Sequence, residues 1–206
     1  FMLYFNKGIT LVNMGRQDDA LLSLHTAAKL NPRYPGIHNA IARILMQQDK
    51  RVPALLAYFR FMAVEPNSAR AAQNLGSVQR LLGRGVEVTG KNNVTISIDP
   101  NMLGDTLPDG SHKPNDFGTI DLMPSMTAAM DNEKLFKKDS EREKFLRKLN
   151  TICSGLDEAH KTNDGFYWEY YAPYFIAMQK AEMIETFSYI AFVTADDPET
   201  DKWIKA

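Results

Sequence analysis

Apolar residues return at helical spacing through the first third of the chain. Tyr4, Gly8 and Leu11 share one face of a helix predicted over 2–14, and Ala20, Leu24, Ala27 and Leu30 line a second over 17–30. Gly15 falls where the first helix must turn. Asp18 and Asp19 put negative charge in the first turn of the second helix, where the helix dipole favours it, and Asn31-Pro32 ends that helix because proline cannot continue it. The pattern then recurs with a 34-residue period: Ala20 returns as Ala54, Pro32 as Pro66, and Gly8 as Ala42 and then Gly76. The second unit carries Ala42, Leu45, Ala54, Tyr58, Phe61 and Glu65-Pro66; a third first-helix over 69–83 carries Leu75, Gly76 and Gly83. A single helical hairpin cannot bury its apolar face, so this period predicts stacked hairpins, with Gly8 and Ala20 allowing close approach of the paired helices.

The period breaks at Gly83-Arg84-Gly85. Val86 to Gly90 and then Asn93 to Ile98, with alternating Val94, Ile96 and Ile98, predict a strand or hairpin bounded by turn formers. Residues 99–118 hold prolines and glycines without an apolar period and read as a long irregular loop. Beyond it, Ser140 with Glu143 forms a capping-box pattern. Phe145, Leu149, Ile152 and Leu156, joined by Leu146 and Cys153, make a stripe through a helix over 140–160. Residues 166–175 are dominated by aromatics: Phe166, Tyr167, Trp168, Tyr170, Tyr171, Tyr174 and Phe175, with Pro173 set to kink this helix or start a new one after Tyr171. Residues 182–198 parallel 16–32 in apolar rhythm and closing proline, so 167–198 reads as a degenerate hairpin, with Asp197-Pro198 opening a last helix that carries Trp203. The fold class expected is all-α. Its parts are repeats over 1–84, an irregular insert with a short strand or hairpin over 85–118, and a helical region over 119–206.

Composition narrows the function classes. The 206 residues are 44% hydrophobic and 24% charged, enough apolar content for a substantial core. Lys plus Arg number 24 against 25 Asp plus Glu, which leaves no net field to draw the chain onto nucleic acid or an anionic membrane. The lone cysteine, Cys153, excludes an internal disulfide framework and a cysteine-rich zinc site, and its place on the apolar stripe predicts burial rather than reactivity. No apolar run reaches the roughly 18 residues of a membrane span, and Phe1 to Asn6 lacks the basic segment and cleavage site of a signal peptide. Because the repeat is already under way at Phe1, an upstream segment is expected.

At these small residues and closing prolines the chain resembles the tetratricopeptide repeat family, over 1–34, 35–68 and one helix at 69–83. Lys7, where the family usually has leucine, and Asp49, in place of the usual turn glycine, depart from its pattern. The resemblance implies an α-α superhelix whose first helices line a concave groove for an extended or helical peptide. By helical face it implies groove positions Phe5, Ile9 and Val12; Asn39, Arg43 and Met46; and Gln73, Ser77 and Arg80. On that surface Arg43 and Arg80 would grip a carboxylate, while Asn39 and Gln73 would pair with peptide backbone. The alternative is that these side chains pack against a neighbouring helix or subunit. Family members that hold chaperone tails use a lysine–asparagine clamp starting on the first helix; Phe5 and Ile9 occupy that face here. The run from Gly165 to Phe192 also resembles the tail of uncharacterised bacterial repeat proteins, which implies the periplasm or cell envelope rather than the cytoplasm.

Three further motifs bear on catalytic or ligand chemistry. Gly85 to Lys91 matches most of a phosphate-binding loop, but Asn92 stands where Ser or Thr must hold magnesium, and the loop follows a helix and leads into a strand. Asp99, Asn101 and Asp105 have the wrong spacing for a calcium loop, with Gly110 in the place of its glutamate. His25, His38, His112 and His160 show no ligand spacing. No catalytic residue, metal or cofactor is therefore expected, and the function expected is non-enzymatic binding of a protein or peptide. The rival is carbohydrate binding or hydrolysis by the aromatic run and the 99–118 loop, which requires Trp168, Tyr171 and Tyr174 to form an open shelf beside His112 and Asp116.

Overall fold

A computed structural model describes residues 1–89, 93–98 and 113–206. The chain is mainly helical, with one two-stranded sheet among the described residues, and it divides into a unit of Phe1–Pro66 and a unit of Asn67–Ala206.

The first unit is two helical hairpins: α1 (Met2–Asn13) with α2 (Gln17–Leu30), and α3 (Pro35–Gln47) with α4 (Arg51–Val64). Its backbone repeats along with its sequence. After α1, Gly15 takes the left-handed conformation at φ 74°; one period later Asp49 does so at φ 63°. The same pair of capping bonds surrounds each, from Arg16 N–H to the Leu11 carbonyl and from Gly15 N–H to Val12, then from Lys50 to Leu45 and from Asp49 to Met46. Asn31 and Glu65, at φ −144° and −134°, are both turned extended by the prolines that follow them. The departure from the turn glycine at Asp49 is thus absorbed by backbone strain, since a non-glycine residue there is held about 1 kcal/mol above its relaxed state.

Gly8 explains how the hairpin closes. A Cβ on it would lie 2.7 Å from Leu24 Cγ and 3.4 Å from the Ala20 carbonyl oxygen, so α1 and α2 meet backbone to side chain at this level. Tyr4 and Leu30, expected on the packed faces, are exposed instead; they sit in the first turn of α1 and the last turn of α2, at the open end of the hairpin. The two hairpins are joined by α2 packing on α3 and by bonds from Gln17 Nε2 to Gln47 Oε1 (2.9 Å) and from Gln48 Nε2 to Asp18 Oδ1 (2.8 Å). α4 is apolar on nearly every side and is buried from Arg51 through Phe59, as a helix of that composition must be.

The second unit is organised on α7 (Glu141–Ala159), against which α5 (Ala69–Gly83), α6 (Met123–Ala129), α9 (Ala172–Lys180) and α10 (Ile184–Phe192) pack. The capping box forms as the sequence predicts: Glu143 N–H donates to Ser140 Oγ at 3.2 Å, and Ser140 N–H to Glu143 Oε2 at 2.6 Å. Phe145, Leu149, Ile152, Cys153 and Leu156 are buried along one stripe. Phe145 meets Phe187 and Phe192 at ring-centroid distances of 6.4 and 5.5 Å, each such side chain contributing about 2 kcal/mol of burial. β1 (Val86–Val88) and β2 (Val94–Ile96) pair antiparallel with Val86 opposite Ile96, as an alternating apolar run requires. Pro173 does start a new helix: α8 (Phe166–Tyr170) ends and α9 begins around Tyr171. The helix at 69–83, read from sequence as part of the repeats, falls in this unit and packs on α6, α7 and α10. α9 and α10, read as a degenerate hairpin, each pack on α7. α11 (Pro198–Lys205) is capped by Asp197 and packs on α10.

Candidate functional site

The candidate positions recur at i, i+4 and i+7 on α1, α3 and α5, so each triplet lies along one helical face. On α1, Phe5, Ile9 and Val12 are half-buried. Phe5 is the most engaged, meeting Tyr34 edge-on at 5.2 Å where α3 begins. On α3, Asn39 and Met46 are half-buried, and the Met46 sulfur accepts from the Tyr58 hydroxyl of α4 at 3.7 Å. Arg43 is exposed and has no ionic or hydrogen-bonding partner among the described residues. The α1–α3 positions therefore combine partly covered apolar surface with one uncommitted guanidinium. On α5, Gln73 and Arg80 are exposed, whereas Ser77 is buried at 6% exposure; its hydroxyl donates to the Gln73 carbonyl and accepts from Arg80 Nη2 at 3.1 Å. Ser77 is thus a structural residue on the inward side of α5, which corrects its assignment to an open face.

The aromatic run is core at Tyr167, Trp168, Tyr171 and Phe175 and half-buried at Phe166, Tyr170 and Tyr174. Trp168 and Tyr171 are 3% and 0% exposed; Trp168 stacks on Phe117 at 4.4 Å and its indole N–H donates to the Asp116 carbonyl at 2.8 Å. Only the half-buried Tyr174 of the three shelf residues reaches solvent, so the open platform that sugar stacking requires is not formed by them. His112, Asp99, Asn101, Asp105 and Gly110, and the Gly90-Lys91-Asn92 end of the loop-like motif, lie outside the described residues.

Burial sets the chemistry of the remaining candidates. It raises the Cys153 thiol to about 12, leaving it a small core hydrophobe. Burial, with Lys29 close by, lowers His25 to about 3, and burial lowers His38 to about 4 even though its Nε2 donates to the Pro32 carbonyl at 2.9 Å. Both imidazoles are neutral at pH 7; His38 lies in the first unit's interior and His25 is half-buried. Among the described residues no group of three or more His, Cys, Asp or Glu could hold a metal, and no helix is long and apolar enough to cross a membrane.

Sequence reasoning missed two buried cations on α7. Arg142 is 3% exposed; its guanidinium donates to Ser188 Oγ at 3.1 Å and to Glu199, lies 3.5 Å from Asp197, and covers the Tyr189 ring at 4.0 Å. Lys148 binds Asp131 at 2.5 Å. Their positions beside the apolar stripe were the available signal, and only the acids brought by α11 and by the turn after α6 make such burial tolerable. Compared with protein-family models, with curated proteins and with solved structures, the chain matches none.

Proposed function

We propose that the first unit is a tetratricopeptide-like binding module, and that the face carrying Phe5, Ile9, Val12, Asn39, Arg43 and Met46 holds a segment of another protein without chemical turnover. The observation that carries the reading is the uncommitted Arg43 on a face whose neighbouring positions are half-buried and largely apolar. Apolar side chains of a guest would gain about 25 cal/mol per Å² on burial there. A guest carboxylate would take a charge-assisted bond from the exposed Arg43.

The test is capture from native extract on the immobilised protein, followed by titration of the captured partner. Arg43→Glu should weaken binding by about tenfold or more at unchanged helicity, because it replaces an attraction by a repulsion. Equal affinity of the variant and the wild type would remove this face from the account.

A further inference from the structure

A second surface lies wholly within the second unit. Between the hairpin and α6 runs a groove of about 650 Å³, walled by Val88, Val94 and Ile96 on one side and Met126 and Met130 on the other, with Glu133 and Lys134 at its rim. The strand register produces this wall: Val88 faces Val94, and Ile96 follows two residues on, so all three side chains share one face of the ribbon while Glu87 and Thr95 take the other. The base of the hairpin is pinned by Ser125 Oγ donating to the Arg84 carbonyl at 2.8 Å and by Gly85, whose φ of 78° and missing Cβ let Ser97 approach. The groove is open, with Val88 56% and Met126 60% exposed.

Two further observations say what fits. Ladder bonds at Thr89–Asn93 and Gly85–Ser97 put Val86, Val88, Val94 and Ile96 in the pairs that do not bond to each other, so their N–H and C=O groups point outward along the edges. The rim residues Glu133 and Lys134 begin a clamped loop. One guanidinium, that of Arg147, binds Asp131 at 2.6 Å and also Asp139, and lies over the Phe136 ring at 4.2 Å. Those acids are thereby neutralised. The exposed stretch between them carries Lys134, Lys137 and Lys138 without ionic partners among the described residues, against the single acid Glu133, together with Leu135 at 77% exposure.

We propose that this groove takes an extended acidic-apolar polypeptide segment, which adds as a strand to the hairpin, sets apolar side chains against Met126 and Met130, and turns carboxylates to Lys134 and to the lysines that follow it in the loop. Outward backbone groups and a concave wall match a strand; alternation of side chains along that strand delivers both chemistries at once. Flexible methionines suit a groove that adapts to varied side chains.

The experiment titrates the full chain, with methionine methyl groups labelled for NMR, with two blocked synthetic peptides, one alternating Glu and Val and one alternating Lys and Val. The Glu-Val peptide is expected to shift the Met126 and Met130 methyl signals, with affinity that falls as salt rises and drops about tenfold in Lys134→Glu/Lys137→Glu/Lys138→Glu. Met126→Gln, at an exposed position, should weaken the same binding without altering helicity. The proposal is overturned if the Glu-Val peptide leaves both methyl signals unmoved, if the Lys-Val peptide binds equally well, or if only vesicles of phosphatidylglycerol shift them.

Discussion

Gly8 and Gly76 occupy the same place in the 34-residue period, yet only one of them is used. At Gly8 an added Cβ would strike Leu24 at 2.7 Å, whereas at Gly76 it would meet nothing within 4 Å. The turn positions divide in the same way. Gly15 and Asp49 take the left-handed conformation and reverse the chain into a partner helix; Gly83, the next in register, stays in α5, and the chain turns at Gly85 into a strand. Periodic small residues therefore fix a hairpin only where a second helix arrives with its own apolar face. In 17–30 and 51–64 it does. After Gly85 the alternating Val86, Val88, Val94 and Ile96 suit a pleated ribbon instead, and β pairing replaces the second helix.

The largest test of this contrast is acid. An unfolded imidazole binds its proton near pH 6.5, whereas folded His38 and His25 resist until about 4 and 3. Between those values the unfolded chain carries more protons, so stability rises with pH across the window and is lost as pH falls from about 6.5 towards 3. The loss should reach several kcal/mol by pH 4. Hydrogen exchange should show it first in α2 and α3; uniform loss across both units would contradict the placement of these histidines.

Steric substitution comes next. Gly8→Leu should destabilise by about 3 kcal/mol, because Leu24 and the Ala20 carbonyl leave no room, while Gly76→Leu should be near neutral in chemical denaturation. Arg147→Met should cost about 2 kcal/mol by leaving Asp131 and Asp139 partly buried with fewer partners, and should loosen the 131–139 loop in exchange. The smallest effects have opposite signs. Gly15→Ala should destabilise by about 1 kcal/mol, since φ is 74° there, and Gly83→Ala should stabilise by a similar amount, being helical with open space for a methyl group.

Much of the helical architecture could be read from the sequence. Period, closing prolines and capping box each rest on local rules, and α2 begins and ends at Gln17 and Leu30 as those rules require. What could not be read depends on long-range partners. Nothing local says that α5 will contact α10 and α7, that α9 and α10 will each lie on α7, or that Arg142 will be buried against residues 46 to 57 positions away. Ser77 was misplaced for the same reason: its period matches Ile9 and Arg43, but its neighbours do not. The Met126–Met130 groove carried only a weak signal, methionines at 123, 126 and 130 on one helical face, which gains meaning once the hairpin is set opposite them.

The claim that the α1–α3 face binds a protein segment is tested most directly by photocrosslinking in native extract. The probe p-benzoylphenylalanine would replace Val12, half-buried on the proposed face, in one variant and Leu22, which is 67% exposed on α2, in a second. The account predicts a discrete crosslinked polypeptide from position 12 that disappears when Arg43→Glu is added, and none of that species from position 22. The same species from both positions, or no product at 12 while 22 crosslinks, would contradict it.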